Sequence, residues 1–154
     1  MTFFEKQERT ESEQALLRAV ETGKLVDLRT GDADVDNPAS GLTWGHERTV
    51  PSELLYTLLA AGHDPTPRAV VLRGALISGG LNLEAAKLAC PLVLEGCFFD
   101  GPINLRGARA EVIRITGCQL PCLAAERLET LGSLELDRST FAVVDLMTAD
   151  IGGQ

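Results

Sequence analysis

A few groups of residues in this chain have side chains that could do chemistry. Asp32-Ala33-Asp34-Val35-Asp36-Asn37 sets three carboxylates two residues apart, as at the start of a calcium-binding loop. Such a loop needs Gly where Asn37 stands and a bidentate Glu where Thr43 stands. The stretch therefore reads as a solvated acidic turn. His46 and His63 are the two histidines, and neither has the partner pattern of a triad or a metal site. Cysteines stand at Cys90, Cys97, Cys118 and Cys122, with no C-x-x-C pair to suggest zinc. Phosphate-loop and dinucleotide fingerprints are absent, so no cofactor and no metal are expected. Trp44 reads as a packing anchor.

The elements that must position these residues come from an internal repeat. Leu81, Leu83, Ala86 and Leu88 define offsets −2, 0, +3 and +5 around Leu83. The pattern recurs with its zero position at Leu72, Leu83, Leu94, Leu105, Ile115, Ala125, Leu136 and Leu146. Of these 32 positions 30 are apolar, against about 14 expected for a chain that is 45% hydrophobic. The two exceptions are Thr130 and Ser139. A spacing of two puts side chains on one face of a strand, and the three-residue step from 0 to +3 turns a corner. Gly74, Gly96, Gly107 and Gly117 occupy offset +2, where a corner needs permissive dihedrals. A second corner falls in stretches such as Ser78-Gly79-Gly80 and Asp100-Gly101-Pro102. Each unit thus supplies two sides. Two units close a four-sided coil, and eight units give about four coils sharing one apolar column.

Leu81-Asn82-Leu83-Glu84-Ala85-Ala86-Lys87-Leu88 also comes close to a leucine-rich repeat. Those repeats carry one motif in about 20–29 residues, whereas this chain carries two, and the Asn position holds Ala or Cys. The 2-3-2 spacing and recurrent Gly do not fit a helical period, and the regular corners argue against a flat amyloid-like stack. In the coil, Cys97 and Cys118 share the +3 column on successive levels, within reach of a disulfide. The simpler reading makes them small apolar fillers equivalent to Ala. Cys90 and Cys122 fall at corners.

Residues 1–68 read as a helical cap with an acidic loop, and residues 69–154 as the repeat array. A first helix over 10–22 starts on a Thr10/Glu13 capping box and stops at Gly23. A second runs over about 50–61, with Thr49 as cap, Pro51 in the first turn and Gly62 at the end. Its stripe of Leu54, Leu55, Leu58 and Leu59 would cover the first coil.

Net charge is −8. Residues 1–69 carry 7 Lys/Arg and 12 Asp/Glu, and residues 70–154 carry 7 and 10. That balance argues against nucleic-acid binding, which needs a basic patch. With no long apolar run and no leader-like start, neither membrane insertion nor export is expected, and the reading is cytoplasmic.

The columns resemble the pentapeptide-repeat family, through stretches such as Ile103-Asn104-Leu105-Arg106-Gly107-Ala108-Arg109. Thr43-Trp44-Gly45, Glu47-Arg48-Thr49-Val50 and Leu94-Glu95-Gly96-Cys97-Phe98-Phe99-Asp100 look like the N-terminal portion of divergent members common in actinobacteria. The chain departs from a strict five-residue pattern, because two- and three-residue corners separate the pairs. The resemblance implies an all-β solenoid, a right-handed four-sided β-helix. It also implies one possible function, DNA mimicry toward a type II topoisomerase, which the modest repeat charge does little to support.

A non-enzymatic scaffold for protein–protein interaction is the expected function, working through flat coil faces or an open end. The alternative is an enzyme-associated module with a site near Trp44, His46 and Glu47. No capping helix follows the last repeat. Val144, Leu146, Ala149 and Ile151 are therefore expected to form a stacking end, covered by a protein partner or by self-association.

Overall fold

Inward-facing residues at a period of ten or eleven build a solenoid, and the computed structural model, which describes residues 9–60, 62 and 66–152, has that architecture. All strand pairings are parallel. Val70 pairs with Leu92, Leu92 with Ile113 and Ile113 with Leu134, so each coil takes 21 or 22 residues. About four coils stack in this way.

The coil has four faces. The first is the five-stranded sheet of Leu25–Asp27, Val70–Arg73, Leu92–Glu95, Ile113–Thr116 and Leu134–Glu135. The second contains Thr49–Pro51, Leu76–Ser78 and Phe98–Phe99. The third contains Leu81–Asn82 and Ile103–Asn104. In the upper coils, Gln119–Ala124 and Thr140–Asp145 run through the corner between these two faces, so one sheet wraps both. Cys122 accordingly lies inside a strand as it rounds that corner. The fourth face stacks Arg109–Ala110, Glu129–Thr130 and Asp150–Ile151, with Lys87 bridged to Arg109 below them.

The columns behave as their composition requires. From Val70 to Thr130, every residue at offsets −2, 0, +3 and +5 is buried except the half-buried Ala86. Both polar exceptions find backbone partners. The Thr130 hydroxyl donates to the Gly132 carbonyl at 2.9 Å, and Ser139 Oγ donates to the Ile115 carbonyl at 2.7 Å. Cys97, Cys118 and Ser139 form a vertical ladder in the +3 column. Cys118 Sγ accepts from the Cys97 N–H at 3.3 Å and donates to the Leu94 carbonyl at 3.4 Å. Ser139 Oγ repeats the arrangement one coil on, accepting from the Cys118 N–H at 3.1 Å. Both cysteines are free thiols.

The +2 corner is left-handed in every unit. Gly74, Gly96, Gly107 and Gly117 have φ of 72, 59, 64 and 63°, and Ala85, Arg127, Arg138 and Thr148 have 58, 60, 59 and 55°. In the second and fourth units Ala86 N–H donates to the Leu83 carbonyl and Ala108 N–H to the Leu105 carbonyl, closing a turn across the corner. Asn82, Asn104 and Asp145, one residue before the zero position, each accept through Oδ1 from the N–H two residues on. A short polar side chain there holds the chain in its bend.

The N-terminal region departs from expectation in two ways. The first helix spans Glu11–Ala19, shorter than 10–22, because Lys24 N–H bonds back to the Ala19 carbonyl around Gly23 at φ 75°. Thr10 caps it by accepting from the Glu13 N–H, while the Glu13 carboxylate lies 3.8 Å from Arg9. The second helix spans Ser52–Ala60, and Thr49 and Pro51 belong instead to a strand before it. Thr49 Oγ1 donates to the Gly45 carbonyl, so it cannot cap the helix. Ala61 and His63 lie outside the described residues.

That strand and Leu25–Asp27 extend the first two faces by one level, pairing Val26 with Leu72 and Val50 with Ile77. The two helices close this partial coil. Leu16 of the first, Val20 just beyond it, and Leu54, Leu55, Leu58 and Leu59 of the second join the core of the coils.

The corner geometry gives a paired test. At Gly96 an added Cβ would meet nothing within 4 Å, so only the backbone conformation opposes it. Gly96→Ala should cost about 1 kcal/mol in urea unfolding. Ala85→Gly, at nearly the same φ, should cost nothing or stabilise the fold.

Candidate functional site

The residues singled out near Trp44 are assembled by two short turns, Pro38–Thr43 and His46–Arg48, and by the four-residue helix Ala33–Asp36. Asp32 begins that helix by accepting from the N–H groups of Asp34 and Val35. Asp36 is not a solvated residue of an acidic turn, as its spacing had suggested. Its carboxylate accepts from the N–H groups of Thr30 and Gly31, from the Thr30 hydroxyl and from Arg48 Nη1, the last at 2.9 Å.

Arg48 is the centre of this cluster and is only 3% exposed. Its Nε and Nη2 donate to the Gly74 carbonyl at 2.9 and 2.8 Å. Its guanidinium stacks 3.7 Å from the Trp44 ring centroid, and Trp44 Nε1 donates to the Val35 carbonyl at 2.7 Å. Trp44 is therefore a packing anchor between cap and coil. Sequence reasoning missed Arg48. Its one available signal was Trp44 four residues before it, across Gly45-His46-Glu47, a spacing that lets a tight turn fold the guanidinium onto the ring.

Trp44, Arg48 and Asp36 spend their polar groups on one another and on the backbone. His46 and Glu47 are exposed. Glu47 lines a shallow hollow of about 380 Å³ with Glu11, Gln14 and Arg18, and neither Trp44 nor His46 reaches it. Among the described residues no group of three His, Cys, Asp or Glu side chains could hold a metal ion. No described helix is long and apolar enough to cross a membrane.

Outward-facing charges are arranged in vertical ion pairs. Arg73 bonds Glu95 at 2.6 Å on the first face and also approaches Asp27 at 3.7 Å. Arg106 pairs with Glu126, Arg109 with Glu129 and Arg114 with Glu135, each one coil apart. The carboxylates of the coil are thus interleaved with arginines and form no unbroken negative stripe.

The last coil is the remaining candidate. Its strands are edge strands on the first and fourth faces. Val144 and Leu146 stand at offsets −2 and 0, where Leu123 and Ala125 one coil below are fully buried, yet each is 40% exposed. Ala149 and Ile151 are half-buried, packed against the top of the core with Leu134, Leu136 and Phe141. Val143 and Met147 beside them are exposed. The four residues expected to form a stacking end are therefore brought together on one level.

No family model, no curated protein and no solved structure matches this chain.

These sites can be tested by titration, by thermal unfolding and by thiol labelling. Desolvation works against the Asp36 charge, but the hydrogen bonds from Thr30, Gly31 and Arg48 outweigh it and hold the carboxyl below its ordinary value. A lowered folded pKa contributes stability above the unfolded value of about 4 and loses it as pH falls through the folded pKa. Asp36→Asn should therefore flatten the acid limb of the stability profile. Arg48→Ala, which removes the cation paired with Asp36 and the two donors on the Gly74 carbonyl, should lower the thermal midpoint on the order of 10 °C at neutral pH. The thiols give an independent check. Burial pushes Cys90 up to about 11, and the contact with Cys97 followed by burial pushes Cys118 up. Only Cys122 is not fully buried, so a thiol reagent should label Cys122 rapidly in the native protein and the other three only on unfolding.

Proposed function

We propose that this chain is a non-enzymatic, pentapeptide-repeat-like scaffold that binds another protein through the open end of its last coil. The single observation that carries the reading is the break in the inward columns at Val144 and Leu146. Side chains of the type that fills the core lower down stand 40% exposed there. Edge strands beside them offer backbone groups for a further parallel or antiparallel strand. A partner that continues the stack would bury both the apolar residues and the strand edge.

Two observations weigh against the other functions considered. A DNA mimic would present a continuous negative surface, and here arginines interrupt the carboxylates coil by coil. An enzyme-associated site in the cap would need Trp44 and Arg48 for substrate, and both are engaged in holding cap to coil.

The test is affinity capture from a native lysate with wild type and Leu146→Asp, with circular dichroism to confirm that both fold. A defined protein retained by wild type and lost from the variant is the expected result. A bound protein set that Leu146→Asp leaves unchanged would remove the open end from the account.

A further inference from the structure

The fourth face carries a column of four charges whose order reads the same to a copy of itself turned upside down. Lys87, Arg109, Glu129 and Asp150 stand directly above one another, since Lys87 bridges to Arg109, Arg109 pairs with Glu129 in register and Glu129 pairs with Asp150. All four are exposed. Two cations therefore occupy the lower half and two carboxylates the upper half, over three coil steps or roughly 14 Å.

Beside the column the face is concave. Its inward +5 residues in the two middle coils are Ala110 and Thr130, smaller than the Leu88 and Ile151 that flank them. A groove of about 640 Å³ runs along this face between the charge column and Leu131. Leu131 is 83% exposed, the most exposed of the large apolar side chains described.

From this geometry we infer that the fourth face is a self-complementary docking surface for a second copy of this chain, packed antiparallel. A two-fold axis in the interface, crossing the column between the Arg109 and Glu129 levels, sets Lys87 opposite Asp150 of the second copy. The same axis sets Arg109 opposite Glu129. Each of these two opposite-charge pairings then forms twice, as an isologous contact requires, and Leu131 of each copy is covered by the other. A parallel arrangement would set like charges against one another, so the column selects the orientation as well as the partner. The face is only about four coils tall, so the contact belongs with small, weak interfaces and depends on protein concentration and ionic strength.

The experiment is sedimentation equilibrium on the intact chain at low salt, up to about 1 mM. Compared are wild type, Lys87→Glu, Asp150→Lys, the double variant carrying both, and Leu146→Asp. These side chains are outside the core, and circular dichroism checks each fold. The expected result is a dimer that either single charge reversal weakens at least about tenfold, because each sets like charges opposite one another twice. The double variant, which restores opposite charges, should dimerise again, and salt should weaken the wild type. Leu146→Asp should leave this dimer intact. A strictly monomeric wild type, a dimer indifferent to both single reversals, or a double variant that stays monomeric would overturn the inference. A dimer abolished by Leu146→Asp and unaffected by charge reversal would overturn it too, and would place association at the open end.

Discussion

Vertical register is the constraint on which this structure depends. No single coil has enough apolar surface to bury its own inward side chains, so each must stack on its equivalent one coil away. Parallel pairing with a step of 21 or 22 residues enforces that stacking. Slipping one residue would turn Arg73, Glu84, Arg106 and Asp137 inward, at a desolvation cost the narrow core could not offset. The same register places outward residues in columns, which is why ion pairs and the charge column of the fourth face recur coil by coil.

Register also explains how the coil is closed at its lower end. The strands Leu25–Asp27 and Thr49–Pro51 continue two faces by one level, and two helices substitute for the others. The chain between those strands must be held against the first coil although it belongs to no repeat. Arg48 does this by gripping the Gly74 carbonyl at a left-handed corner while pairing with Asp36 and stacking on Trp44. Gly74 leaves the space it needs, because a Cβ there would lie 3.0 Å from Arg48 Nη2 and 2.5 Å from Arg29 Cγ. Gly41 plays a comparable part on the second face, lying against Phe98, which faces outward and would otherwise be exposed.

How much of this was legible in the residues follows from the same physics. The inward columns were plain, since a buried position tolerates few residue types and eight units repeat the restriction. The stacking of Cys97 on Cys118 and the grouping of Val144, Leu146, Ala149 and Ile151 followed from counting alone. Strands 25–27 and 49–51 were not legible, because each occurs once and three residues define no period. Thr49-Val50-Pro51 imitated a helix start for the same reason: Thr and Pro suit a cap and first turn as well as they suit a strand before one. The left-handed corners at Arg127, Arg138 and Thr148 were hidden because only Gly advertises that conformation. Asp36 was misread as solvated because its partner, Arg48, is set by the tertiary fold and not by local spacing.

The first coil is covered by helices, whereas the strands of the last described coil pair on one side only, so the coil should not be uniformly stable. Native-state hydrogen exchange of the isolated chain tests this most directly. Strand amides of residues 70–130, paired between coils above and below, should exchange slowly and together, while those of residues 134–151 should exchange markedly faster. Equal protection in the last described coil and in the coils beneath it would contradict the account, because a strand paired on one side cannot be held as firmly as one paired on both.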